Sequence, residues 1–303
     1  MRFTKRENNW SAKFFNVGFV FLLIGSSLLT ASCQTKAQKT ATALQRCQAL
    51  LDKGELQNIG DCYNEAMRAD PDNAPEISKA GKTAFFKKCV DYKEKKDYQN
   101  AIICFEGFTE LEPKMANNYF QLANSYYQYY QERAKATGKP DADFLDKAED
   151  AIKTGLKIKP DDATAHSVYG QILTEKGDKL NSLAEYQTAT KLSPKTGIFW
   201  INLARAQEKI PLNERAIISY KQALNIDPND KLALYFLGLL YERMGNLDNA
   251  LESHEKILKI EPSDEEIVQK VKELKERIDS NKQNKPPNKK TKTVSSAVVT
   301  SNQ

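Results

Sequence analysis

Five prolines set the terms on which this chain can fold. Pro113, Pro160, Pro194, Pro228 and Pro262 each close an apolar stretch with a similar ending, ELEP, KIKP, KLSP, NIDP and KIEP, and the last three intervals are 34 residues each. A fixed period of that size marks a stacked repeat, because one short unit cannot bury its own apolar side and must cover it with its neighbours. The interval from Pro113 to Pro160 is 47 residues, so that unit carries 13 extra. Pro71 closes a more divergent unit upstream.

The residues inside each period recur in register. Counting back from Pro228 gives Trp200, Leu203, Ala204, Gln207, Ala216, Tyr220 and Ala223; from Pro262, Leu234, Leu237, Gly238, Tyr241, Ala250, His254 and Ile257. From Pro194 the same places hold His166, Tyr169, Gly170, Leu173, Ser182, Tyr186 and Ala189, and from Pro113 they include Phe85, Cys89, Tyr92, Ala101 and Phe105. This pattern resembles the tetratricopeptide repeat, a pair of antiparallel helices whose small residues lie where the helices cross and whose large ones fill the space between hairpins.

The resemblance implies an all-α fold, a right-handed superhelical solenoid of about six repeats, near 40–73, 82–115, 116–162, 163–196, 197–230 and 231–264. The 13 extra residues are expected around ERAKATGKPDAD, lengthening the inter-helix turn of the third repeat, and about eight residues from Asn73 to Gly81 are expected to separate the first two. After Pro262, Ser263 and Asp264 can cap a helix on which Ile267, Val271, Leu274 and Ile278 share one stripe, so 265–279 reads as a capping helix over the last apolar face.

The ends read differently. Arg2, Lys5, Arg6 and Lys13 precede an apolar run from Phe14 to Leu29, which closes on Thr30, Ala31, Ser32 and Cys33. That is a signal peptide's layout, and the run falls short of the roughly 18 apolar residues of a membrane span. Small residues before Cys33 resemble a relaxed, spirochaete-like lipobox, which implies a lipoprotein signal over 1–33, acylation at Cys33 and a tether over 34–39. The alternative is ordinary secretory cleavage near Ala31 or Ser32. The segment 280–303 holds five lysines, no acid and Pro286-Pro287, and is expected to be a disordered tail. The formal charge of +5 is concentrated at these two ends.

Four cysteines remain. Cys47 and Cys62 take the same places in the first repeat that Cys89 and Cys104 take in the second, on facing sides of the two helices. An exported chain can keep disulfides, so Cys47–Cys62 and Cys89–Cys104 are expected. Against this, cysteine often serves as a small buried residue, which would account for Cys47 and Cys89 alone.

No HExxH, GxSxG, phosphate-binding Gly-Lys loop or CxxC motif occurs, and nothing points to an enzyme, a cofactor, a metal or a small-molecule substrate. His166 and His254 occupy packing places and are expected to be satisfied core residues, while Asp161-Asp162 and Asp264-Glu265-Glu266 suit helix caps. The family resemblance implies a concave groove, lined by first helices, that holds a partner's peptide or helix. Its candidate contacts are Phe120, Asn124, Tyr127, Gln171, Glu175, Asn202, Arg205, Tyr235 and Leu239. The family's carboxylate clamp is not expected, because Val168, Leu232 and Phe236 stand where its other members should be.

The resulting expectation is a non-enzymatic scaffold in the bacterial envelope, lipid-anchored at the outer membrane, facing the periplasm or the surface, and binding another envelope protein. Outer-membrane, pilus and peptidoglycan assembly are the roles that fit. Two alternatives stay open: an envelope protein that binds anionic lipid or cell wall through its basic tail, and a cytoplasmic adaptor held by an uncleaved anchor. Nucleic acid is not an expected partner of an exported chain.

Overall fold

The computed structural model describes residues 35–55, 58–138 and 141–283. The signal segment, Cys33 and the tail from 284 onward lie outside the described residues, as do Lys139 and Pro140 in the insertion. Among the described residues there are 13 α-helices and no strand. The chain divides after Lys79 into two units.

The first unit holds α1 (Lys36–Lys53), α2 (Ile59–Ala69), a single 3-10 turn at Pro71–Asn73 and the opening of α3 (Ala74–Glu94). A reciprocal cap starts α1: Gln38 N–H donates to Thr35 Oγ1 at 3.3 Å, and Thr35 N–H donates to Gln38 Oε1 at 2.9 Å. The helix therefore begins inside the stretch expected to be a tether. Ala43, Ala66 and Ile77 form the small core, with Leu44, Tyr63 and Met67 against it. Cys47 is bonded to Cys62, with Cα atoms 5.5 Å apart.

The connector expected from Asn73 to Gly81 is also mostly helical. Pro75 falls in the first turn of α3, where its missing N–H has no helical partner to lose, and Ile77 is drawn into the core.

The second unit continues through α3 and α4 (Tyr98–Leu111), α5 (Ala116–Thr137) and α6 (Ala142–Ile158), α7 (Ala163–Glu175) and α8 (Lys179–Leu192). Then come α9 (Gly197–Glu208), α10 (Asn213–Ile226), α11 (Lys231–Arg243), α12 (Leu247–Ile260) and α13 (Glu265–Gln283). Each helix packs on the next, which makes the unit a solenoid of hairpins. Cys89 is bonded to Cys104 with Cα atoms 5.3 Å apart, and Phe85 and Phe86 pack on Phe105 and Phe108 of α4.

One turn chemistry recurs between the helices of a hairpin. The chain leaves the first helix through a positive-φ residue, Gly177 or Gly245, and the following N–H donates back: Asp178 to Leu173 at 2.9 Å, Asn246 to Tyr241 at 2.8 Å. Lys96 (φ 61) occupies the same place without glycine's freedom. Close crossing demands glycine elsewhere: a Cβ on Gly170 would lie 2.8 Å from the Tyr186 ring, and one on Gly238 would lie 2.7 Å from His254. Asp162, Asp230 and Asp264 cap α7, α11 and α13 through the backbone N–H groups of Ala165, Ala233 and Ile267.

The insertion corrects the expectation of a longer turn. Its residues are largely absorbed into helix, so α5 and α6 run 22 and 17 residues against 13 and 14 in α7 and α8. Extending an existing helix is cheap once apolar contacts cover it. Here Tyr126 and Tyr130 are buried on α5, Leu145 is buried on α6, and Phe144 meets the Tyr129 ring edge-on at 4.8 Å. At the far end α13 reaches Gln283, beyond the expected 279. Its Ile267 and Val271 pack with Leu234 and Ile257, and its Leu274 and Ile278 join the core around Leu237 and Tyr241.

Candidate functional site

The first helices of the third, fourth and fifth repeats line an open hollow of about 230 Å³ in the second unit. Tyr127, Gln128 and Gln131 come from α5, Gln171, Thr174 and Glu175 from α7, and Asn202, Arg205 and Ala206 from α9; Tyr186 and Lys209 complete it. A second hollow adjoins it, sharing Arg205 and Lys209 and adding Glu208, Asn213, Phe236, Leu239 and Arg243. Of the nine residues expected to contact a partner, Tyr127, Gln171, Glu175, Asn202 and Arg205 meet in the first hollow, and Leu239 lies in the second.

The remaining three are placed elsewhere. Phe120 lies against Gly155 of α6, where a Cβ would come 2.5 Å from its ring. Tyr235 turns to the end of the unit, donating its hydroxyl to Glu266 Oε1 at 3.0 Å and packing edge-on to His254. Asn124 is half-buried on α5 and lines neither hollow.

The walls are held by hydrogen bonds that the repeat pattern does not contain. Gln131 Nε2 donates to Tyr127 Oη at 2.8 Å, and Asn202 Nδ2 donates to Ser167 Oγ at 3.1 Å, tying α9 to α7. Burial pushes the Tyr127 phenol pKa up, Glu175 adds to the shift and Arg205 opposes it, so Tyr127 stays a neutral hydroxyl. The Arg205 guanidinium lies over the Phe236 ring, 4.8 Å from its centroid. Glu208 is already engaged, accepting from the Tyr220 hydroxyl and pairing with Arg243.

Gln128, Gln131, Thr174, Tyr186, Lys209 and Phe236 were not among the expected contacts. Gln131 lies just before the expected insertion, on the same side of α5 as Tyr127, which it follows by four residues and to which it is hydrogen-bonded. The signal for it was the Tyr-rich YYQYYQ run, in which Gln131 follows Tyr127 at helical spacing up to the edge of the expected turn.

The two histidines differ from the expectation of satisfied core residues. His166 is half-buried with both ring nitrogens partnered, whereas His254 is fully buried with neither nitrogen hydrogen-bonded. No group of three or more His, Cys, Asp or Glu side chains among the described residues could hold a metal ion. None of the described helices is long and apolar enough to cross a membrane.

These are the hairpins, turns and crossings of tetratricopeptide repeats, and the solenoid is of that class. Residues 163–196 and 232–264 match a family model described as tetratricopeptide repeat, and 213–245 match one described as TPR repeat. Among curated relatives, cellulose synthase operon protein C of Escherichia coli K12 is 24% identical over 148 residues, covering 44% of this chain and 12% of that protein. Superkiller protein 3 of Schizosaccharomyces pombe is 22% identical over 191 residues, covering 63% of this chain and 13% of that one. The chain thus matches only a small part of either relative.

Solved structures with the same fold include YrrB, described as a TPR protein with an unusual peptide-binding site (TM-score 0.50, 16% identity, 70% of this chain and 97% of that). MamA from Desulfovibrio magneticus RS-1 gives a TM-score of 0.50 at 15% identity, covering 61% of this chain and 97% of that. The APC/C Cut9–Hcn1 structure gives 0.52 at 17% identity, covering 78% of this chain and 42% of that.

Proposed function

We propose that this chain is a non-enzymatic adaptor of the bacterial cell envelope, anchored by lipid on Cys33, whose second unit holds a peptide or helix of another envelope protein. The observation that carries the binding role is the pair of adjoining hollows on α5, α7, α9 and α11, which combine side-chain donors, acceptors and aromatic faces in one surface. At about 230 Å³ the first hollow is small for a drug-sized ligand and suits one or two side chains of a polypeptide. YrrB, which shares the fold, is described as having a peptide-binding site, and that likeness supports the same use of the solenoid here.

The anchor rests on the sequence around Cys33. Two or three acyl chains, at roughly 0.8 kcal/mol per buried methylene, hold a protein at a membrane essentially permanently. Two disulfides in the described residues fit an oxidising compartment.

Photo-crosslinking in intact cells tests the binding role, with the probe at Gln171 or Asn213 in the hollows and at Lys221 of α10 outside both. One partner captured from the hollows alone is expected; equal labelling from all three sites would remove the groove reading. Metabolic labelling with an alkyne fatty acid tests the anchor, and label that persists in Cys33→Ala would remove it.

A further inference from the structure

We infer that the groove selects an extended segment presenting, in order, a hydrogen-bond donor or cation, a carboxylate and an apolar side chain. This rests on the groove reading above and specifies its ligand. The stacking order places Glu175 on α7, Arg205 and Lys209 at the end of α9, and Phe236 and Leu239 on α11, so three different chemistries follow one another along the solenoid.

The middle of this row is an unbalanced positive centre. Arg205 and Lys209 are exposed, line both hollows, and make no ion pair among the described residues. Glu208, the acid beside them, is committed to Arg243 and to the Tyr220 hydroxyl. Other basic residues along the same edge find acids: Arg243 pairs with Glu208, Arg277 with Glu242, and Lys176 with Asp146 at 2.6 Å. Stacking over Phe236 occupies a face of the Arg205 guanidinium and leaves its N–H edge available for a carboxylate.

The flanks fix the neighbours of that carboxylate. Glu175 makes no ion pair among the described residues and would repel a second acid, so it favours a donor or cation on its side. Phe236 and Leu239 are half-buried and offer an apolar seat on the other. Both cations belong to a single helix and its C-terminal residue, which distinguishes the site from a clamp assembled across successive repeats.

The test is selection from a phage-displayed library of random dodecapeptides on the full chain in detergent, with two variants carried through: R205E/K209E and Q171W, each checked for helical content by circular dichroism. Wild type is expected to enrich Asp or Glu next to an aromatic or aliphatic residue. Synthetic copies of those peptides should bind R205E/K209E roughly tenfold or more weakly, and that variant should itself select Lys or Arg at the same place. Peptides that lose binding to Q171W yet show no acid preference and bind R205E/K209E normally would overturn the specificity while leaving the groove. Peptides indifferent to both variants, or no selected peptide, would overturn the groove reading itself.

Discussion

His166 Nδ1 lies 2.6 Å from Glu185 Oε2, and its Nε2 lies 2.8 Å from the Pro160 carbonyl oxygen. Both partners are acceptors, so both ring nitrogens donate only when the ring is an imidazolium. The Glu185 carboxylate foremost, opposed by partial burial, holds the His166 pKa above its ordinary 6.5. A pKa raised on folding contributes stability that is complete below the unfolded value and is lost as pH rises through the folded one. Glu185→Gln should therefore cost about 1 kcal/mol at pH 5.5 and clearly less at pH 8.5, read by urea unfolding. An equal cost at both pH values would show that the charge is not what the pair supplies.

His254 has the opposite sign. Burial lowers its pKa, and the neutral ring sits between Gly238 and Tyr235 without a hydrogen bond. Protonation favours the unfolded chain, so this site loses stability as pH falls below the ordinary value. In His254→Phe the gain over wild type should be larger at pH 5.5 than at pH 8.5. A gain independent of pH would place the effect in packing instead.

Glycine to alanine separates two kinds of glycine. In Gly170→Ala the new methyl would sit 2.8 Å from the rigid Tyr186 ring, costing about 1–3 kcal/mol. In Gly107→Ala on α4 it meets only Phe85 Cζ at 3.9 Å, and the helix should gain about 0.5–1 kcal/mol. Both are read from melting temperatures, and like signs would contradict the crossing geometry.

Each cystine closes a loop with a sequence separation of 15, worth about 3 kcal/mol in the chain-entropy model. Alkylation without reductant, read by mass spectrometry, should leave Cys47, Cys62, Cys89 and Cys104 unlabelled. The double substitution Cys89→Ala with Cys104→Ala should lower stability by about that amount. Labelling of all four under native, unreduced conditions would refute the pairing.

What the sequence determined by itself is the periodic part of the protein: paired helices, their order, the small residues at Gly170 and Gly238, the caps at Asp162 and Asp264, and the stripe of α13 from Ile267 to Ile278. Those features follow from helical spacing, which decides locally which side of a helix is buried. The tertiary structure decided the rest. The extra residues of the third repeat became helix, with Phe144 packed on Tyr126 and Tyr129 and with Tyr130 and Leu145 buried. Phe120 and Tyr235, the same place in two repeats, were claimed by Gly155 and by Glu266 and His254, while Arg205 was left over Phe236 without an acid. Partners such as Glu185 for His166 and Phe236 for Arg205 come from other helices. A side chain's final direction and charge depend on such neighbours, which no local periodicity specifies.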